Sequence, residues 1–180
     1  MEAWKTEKSE QVLDTPWVRV RKDTVSLPNG KRMDDFYAVT IRDAAAIVAL
    51  DEEGNVLLKR EYRHCYGREL IEIPAGAFEP GEHDALAVAK RELLEDTGYV
   101  SEHWQYLGST IDSSAKLTNY MHLFLATNCR HVAGQHLDDT EILTVEAVPL
   151  KKAVDMVITN EICCNSSANG ILRAARLLGK

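Results

Sequence analysis

The sequence predicts a mixed α+β protein, on three observations. Short runs of β-branched and apolar residues recur along most of the chain, each bounded by Gly, Pro, Asn or Asp. Three stretches, one central and two C-terminal, carry helical rather than alternating periodicity. Strands and helices are mixed without the regular βαβ order of a doubly wound fold, which leaves mixed α+β as the reading from pattern alone.

Taken in order, Trp17–Leu27 (WVRVRKDTVSL) alternates enough to be a strand, Pro28-Asn29-Gly30 is a turn, and Phe36–Ile41 is a second strand. Together they form an N-terminal hairpin or small sheet. Ala44–Leu50 is an apolar β run, and Asp51–Asn55 is a hairpin loop into Val56–Lys59. That acidic loop lacks the spaced ligands of an EF-hand and reads as a turn. Leu70–Pro74 is a short strand. Asp84 suits the N-cap of a helix reaching Thr97, with an apolar stripe of Leu86, Ala89 and Leu93 to dock it on a sheet and Gly98 as its C-cap residue. Trp104–Ser109, Met121–Ala126 and Ile142–Val148 read as strands. Leu150–Thr159 and Ser166–Leu178 read as closing amphipathic helices.

The 180 residues suit one principal core. With 45% hydrophobic and 27% charged residues the composition is that of an ordinary globular protein. A formal charge of -7 makes nucleic acid and anionic membrane poor partners, because no basic stripe is present to displace counterions. It also makes anionic phosphates awkward substrates unless a metal ion supplies positive charge. Cys65, Cys129, Cys163 and Cys164 have no zinc-ligand spacing and read as reduced thiols of a cytoplasmic protein. The charged N-terminus MEAWKTEKSEQ reads as no signal peptide, and no apolar run approaches a membrane span.

The chemistry concentrates in Gly76–Tyr99, GAFEPGEHDALAVAKRELLEDTGY. Glu92, Glu95 and Asp96 stand three and four residues apart, which places them on one helical face within roughly 100°. Carboxylates packed so closely repel, and a hard divalent cation such as Mg²⁺ removes the penalty. The segment resembles the Nudix box, G-x5-E-x7-R-E-U-x-E-E-x-G-U, through Gly76, Glu82, Arg91, Glu92, Leu93, Glu95, Asp96, Gly98 and Tyr99. It departs twice. Eight residues, not seven, separate Glu82 from Arg91, with the extra one near His83 at or before the helix start, and Asp96 replaces the usual Glu.

The resemblance extends to VLLKREYRH (Val56–His64), ELIEIPAG (Glu69–Gly76), HLFLA (His122–Ala126), TPWVRVRKDTVSLPNG (Thr15–Gly30) and DDFYAV (Asp34–Val39), which look like the ADP-ribose/ADP-sugar pyrophosphatase branch. It implies an α/β/α sandwich with a mixed central sheet over residues 44–180, and an N-terminal antiparallel β region over 1–43 that pairs two subunits into a homodimer. It also implies hydrolysis of a nucleoside diphosphate-linked small molecule with Mg²⁺ or Mn²⁺ as cofactor. By the same resemblance, the Ala75 carbonyl, Glu92, Glu95 and Asp96 bind metal. Gly76, Glu82 and Gly98 support the box, with Arg91 bracing the loop against the helix beside Glu82. Arg63 matches a diphosphate contact or an exposed structural arginine, and Arg42 could reach phosphate. Trp17 and Phe36 match purine-stacking positions or interface aromatics. Glu72 matches the ribose side or a sheet-edge acid. The catalytic base is expected in His136–Val148, with Glu141 the best match and Asp138 and Asp139 as alternatives. Asp112–Asn119 lacks the branch's Ser-Pro-Gly, and Asn119 stands where a substrate-gripping glutamate is expected. That leaves GDP-sugars, NADH or FAD, damaged nucleoside triphosphates and a catalytically weak nucleotide-binding module as alternatives.

Overall fold

The computed structural model describes residues 2–180. The chain divides into two compact units, one comprising residues up to Asp43 together with Ile111–Tyr120, the other Ala44–Thr110 with Met121–Lys180.

The first unit is a three-stranded antiparallel sheet in the order β1 (Lys5–Asp14), β2 (Arg19–Ser26), β3 (Arg32–Thr40). The expected hairpin is its β2–β3 half, turned at Gly30 in the left-handed region (φ 79°), with Leu27 N–H donating to the Lys31 carbonyl at 2.8 Å. Strand β1 was not expected. Its KTEKSEQVLD carries no apolar alternation and all ten residues are exposed. The backbone ladder to β2 and a bond from Ser9 Oγ to Asp23 at 2.6 Å hold it instead. The 111–120 segment joins this unit through Val39, whose N–H donates to Lys116 O (2.8 Å) and whose carbonyl accepts from Thr118 N–H (3.2 Å).

The second unit is built on an eight-stranded mixed sheet. Its strands are β4 (Ala44–Asp51), β5 (Asn55–Arg63), β6 (Arg68–Glu72), β7 (Ala75–Ala77), β8 (Tyr99–Val100), β9 (His103–Thr110), β10 (Met121–His131) and β11 (Leu143–Pro149). The central path runs β11-β5-β4-β10-β8, and the pairing of β10 with β4 is parallel. Helices are α1 (Ala85–Thr97), α2 (Leu150–Ile158) and α3 (Asn165–Leu177). β5 continues to Arg63, four residues beyond the expected end at Lys59, because β6 pairs with it as far as Arg63 and β11 as far as Glu61.

Strand β4 shows why helices cover both faces. Ala45 through Leu50 are all buried, so neither side of the strand meets solvent. Ala45, Ile47 and Ala49 pack with Val88, Ala89 and Leu93 of α1. Ala46, Val48 and Leu50 pack with Ala153, Met156, Ile171 and Ala174 of α2 and α3. Each fully buried Leu or Ile in these layers contributes about 1.5–3 kcal/mol. The result is the α/β/α sandwich with a mixed central sheet that the resemblance implied. Gly170 lets α3 settle, since a Cβ there would lie 3.1 Å from Val48 Cγ2 and 3.2 Å from Ile73 Cδ1. Ser167 Oγ accepts from Ile73 N–H at 3.1 Å in the same contact.

Candidate active site

Helix α1 opens on Asp84, whose Oδ1 accepts from Leu86 N–H at 2.9 Å and Ala87 N–H at 3.4 Å. The additional residue of the box therefore lies in the turn ahead of the N-cap, and the helix keeps its internal register. The helix closes on Gly98 (φ 74°), whose N–H donates to Leu94 O at 2.8 Å. The buried positions of α1 are Val88, Ala89, Glu92, Leu93, Asp96 and Thr97. Glu92 and Asp96 thus point to the sheet, among apolar neighbours, while Glu95 sits at the half-exposed rim.

Opposite them lies β7, paired to β4. At Gly76 a Cβ would overlap the Glu92 carboxylate, so glycine is what allows that carboxylate to rest on the β7 backbone. Arg91 ties the loop to the helix. Its guanidinium bonds Glu82 (Nε 3.2 Å, Nη2 3.1 Å), the Ala77 carbonyl (3.2 Å), Glu95 (2.8 Å) and Glu92 (2.7 Å). The Arg91 bond, followed by the Glu79 amide, holds Glu82 below the usual carboxylate range. Glu92 goes the other way. Burial, reinforced by Asp96 and Glu95 against the opposing pull of Arg91, pushes it up to about 7.

Strand β5 faces α1 with every second residue. Leu57 is in the core under α1, and Lys59 and Glu61 follow at spacing two. Lys59 Nζ donates to Asp96 Oδ2 at 2.9 Å and to the Ala75 carbonyl at 3.2 Å, and lies 3.5 Å from Glu61 Oε2. Arg63 is clamped between Glu61 (2.7 Å) and Glu72 (2.7 Å). The expected substrate residues Arg63 and Glu72 therefore meet each other. Lys59 and Glu61 were not singled out from the sequence. The available signal was the period-two spacing of Lys59 and Glu61 from Leu57 along the strand.

Trp17, Phe36 and Arg42 belong to the first unit. Trp17 is 73% exposed, and the Arg42 guanidinium lies 4.9 Å from its ring centroid, in a recess that also includes Thr15, Pro16 and Thr40. Phe36 stands apart from that pair, with Lys116 Nζ 5.0 Å from its ring and Trp4 edge-on at 6.1 Å. Glu141 lies in an exposed loop, where its Oε2 accepts from Asp138 N–H at 3.2 Å. No described contact joins it to the acids of α1.

The donor chemistry suits a divalent ion at Glu92 and Glu95, which offer hard oxygens, one of them on a buried acid surrounded by like charge. The Ala75–Asp96 pair fits less well, because Lys59 is already bonded to both. Among the described residues no three His, Cys, Asp or Glu side chains converge as ready-made ligands, since the acids lean on Arg91 and Lys59. Among the described residues no helix is long and apolar enough to cross a membrane.

Comparison with known proteins finds relatives over most of the chain. The NUDIX domain model matches residues 40–161, and the nucleoside diphosphate sugar hydrolase N-terminal domain matches residues 4–39. The chain is 32% identical to the methanol dehydrogenase activator of Bacillus methanolicus, over 85% of this chain and 82% of the relative. It is 31% identical to an ADP-ribose pyrophosphatase of Mycobacterium tuberculosis (85% and 74% covered). It is 30% identical to that of Bacillus subtilis (88% and 85% covered). Among solved structures, an ADP compounds hydrolase superposes with a TM-score of 0.86 at 18% identity, covering 99% of this chain and 96% of that one, and so shares the fold.

Proposed function

The chain belongs to the Nudix hydrolase family, and from that premise we propose a divalent-metal-dependent hydrolase that splits the diphosphate of ADP-ribose or an ADP-sugar into AMP and a sugar phosphate. The observation that carries the reading is the placing of Glu92 at a core-facing position of α1, with its carboxylate fitted over Gly76 and only an arginine shared with Glu82 and Glu95 beside it. Acids are rarely buried unless something charged is to meet them. Similarity to two ADP-ribose pyrophosphatases supports the substrate class.

In this reading Glu92 and Glu95 hold the ion, Mg²⁺ or Mn²⁺, which when bound neutralises the diphosphate and makes water a better nucleophile. Arg91 keeps Glu82, the Ala77 carbonyl and the helix in one rigid piece, so that the acids stay aimed. Glu141, the acid that best matches the family's loop base, is the residue proposed to take the proton of the attacking water. Trp17 and Arg63 keep the roles that the resemblance implies, Trp17 toward the base and Arg63 toward the phosphates. The exposed strand β1, with only β2 beside it among the described residues, supports a homodimer built through the N-terminal region. Four free thiols suit a reducing compartment such as the cytoplasm.

A second substrate reading has its own observation. Asn119 is 4% exposed and its Oδ1 has no partner among the described residues. It stands where the branch's glutamate is expected, which favours another nucleoside diphosphate-linked compound, a GDP-sugar, NADH or FAD. The test is a panel of ADP-ribose, ADP-glucose, GDP-mannose, NADH, FAD and 8-oxo-dGTP with Mg²⁺ or Mn²⁺, its products resolved by chromatography. AMP and ribose 5-phosphate from ADP-ribose support the first reading, and turnover of a different member replaces it. Binding without turnover of any member means a nucleotide-binding module.

A further inference from the structure

Two cations hold the acids of α1, and they differ in kind. Arg91 comes from the helix itself, is one-quarter exposed by side chain, and spreads its bonds over Glu82, Glu92 and Glu95. Lys59 comes from the sheet, is 2% exposed, and delivers its ammonium to a single point. Three oxygens from three elements converge there: Asp96 Oδ2 of α1 at 2.9 Å, the Ala75 carbonyl of β7 at 3.2 Å, and Glu61 Oε2 of β5 at 3.5 Å. Ala75 N–H donates to the same Asp96 oxygen at 3.2 Å, which fixes it from the backbone side.

A backbone carbonyl with two carboxylates is a donor set for a hard cation. An ammonium is such a cation, and a buried one persists only where oxygens replace its lost water. Every bond Lys59 makes is to that set, so its burial has no other explanation in the structure. Nor is it a surface lysine with its stem laid along the protein, because the strand alternation that buries Leu57 under α1 also aims Lys59 inward.

We infer that Lys59 is a resident cation of the active site. It fills the Ala75–Asp96 position that a divalent ion would otherwise take, and leaves Glu92 and Glu95 as the acids that bind exchangeable metal. The inference rests on the hydrolase reading above. A tethered ammonium brings one charge where a divalent ion brings two, and it cannot act as a Lewis acid. Lys59 is therefore a positioning residue: it fixes Asp96 and the Ala75 turn whether or not metal is bound.

The test counts Mn²⁺ bound per chain, from the electron paramagnetic resonance signal of the free ion, beside melting curves with and without Mn²⁺. Asp96→Asn is expected to bind as many ions as wild type, whereas Glu92→Gln binds one fewer. Lys59→Met is expected to gain one ion, and Mn²⁺ should raise its Tm more than that of wild type. The double variant Lys59→Met/Asp96→Asn should lose the gained ion. Loss of an ion in Asp96→Asn overturns the inference, as does an unchanged count in Lys59→Met. Should Lys59→Met not fold, wild type against Asp96→Asn decides. Failure of the hydrolase reading would show separately, as an inactive substrate panel with these ion counts intact.

Discussion

The three-stranded sheet and helix α1 each bury a carboxylate, and the two are served differently. Asp23 on β2 is 3% exposed and accepts from Ser9 Oγ (2.6 Å) and Arg21 Nε (2.9 Å). These bonds, Ser9 first, hold it below the usual range. Glu92 is 9% exposed, yet it shares one arginine with Glu82 and Glu95 and faces Asp96 across a helical turn, and burial pushes it up to about 7. One acid has two donors of its own, and the other is one of a crowd. An acid that only holds a fold together is matched within the fold. A surplus of them on one face is charge waiting for a ligand, and this supports the proposed metal site.

The contrast breaks most sharply at Glu92→Gln. Hydrolysis should fall by roughly two to three orders of magnitude, the equivalent of several kcal/mol of charge stabilisation, with the fold retained by circular dichroism. A near-normal rate would remove Glu92 from the chemistry. Gly76→Ala comes next. The methyl group meets the Glu92 carboxylate, so stability should drop by about 1–3 kcal/mol in denaturant titration, with activity lost alongside. An alanine variant as stable and active as wild type would show that the carboxylate has room to move. Trp17→Ala should raise KM about fivefold, from roughly 1 kcal/mol of lost stacking, and leave Tm unchanged because the ring is mostly exposed. A fall in Tm at unchanged KM would make it a structural aromatic.

The smallest effect separates the two acids by sign. Asp23 has a folded-state pKa below its ordinary 3.8, so its stabilisation is complete above that value and disappears as pH falls through the lowered one. Glu92 is raised from 4.5 to about 7, so in metal-free protein the folded state holds the extra proton and stability declines as pH rises across that interval. Tm of the metal-free wild type should fall by a few degrees between those limits. Glu92→Gln should flatten that slope, and Asp23→Asn should affect only the acid end. A slope unchanged in Glu92→Gln would assign the effect to another group.

Much of the sandwich was legible in the sequence because its strands are buried on both faces and its box helix carries its own caps. Ala44–Leu50 could hardly be anything but a central strand, and Asp84 and Gly98 mark the ends of α1. Strand β1 was not legible, since KTEKSEQVLD owes its conformation to the backbone of β2 and to the Ser9–Asp23 bond rather than to an apolar face. Within the site, the acids of α1 follow from helical spacing alone. Lys59 and Glu61 do not, because their role depends on which side of β5 meets α1, and that is set by pairing with β4, β6 and β11.

The C-terminal end of α1 has one more consequence. Gly98 O accepts from Val132 N–H (2.9 Å) and Ala133 N–H (3.3 Å), Glu95 O accepts from His136 N–H (3.0 Å), and Asp96 O accepts from Gln135 Nε2 (2.7 Å). The chain that leaves β10 is thus moored to the last turn of the helix that carries the acids. Four residues separate the mooring at His136 from Glu141, five steps of the chain and an extended reach of about 17 Å. That stretch has the helix end as one anchor and, as the other, β11, which begins at Leu143 two residues after Glu141. Lengthening or shortening it by a residue would move the circle of atoms Glu141 can touch, without altering a single group in the site.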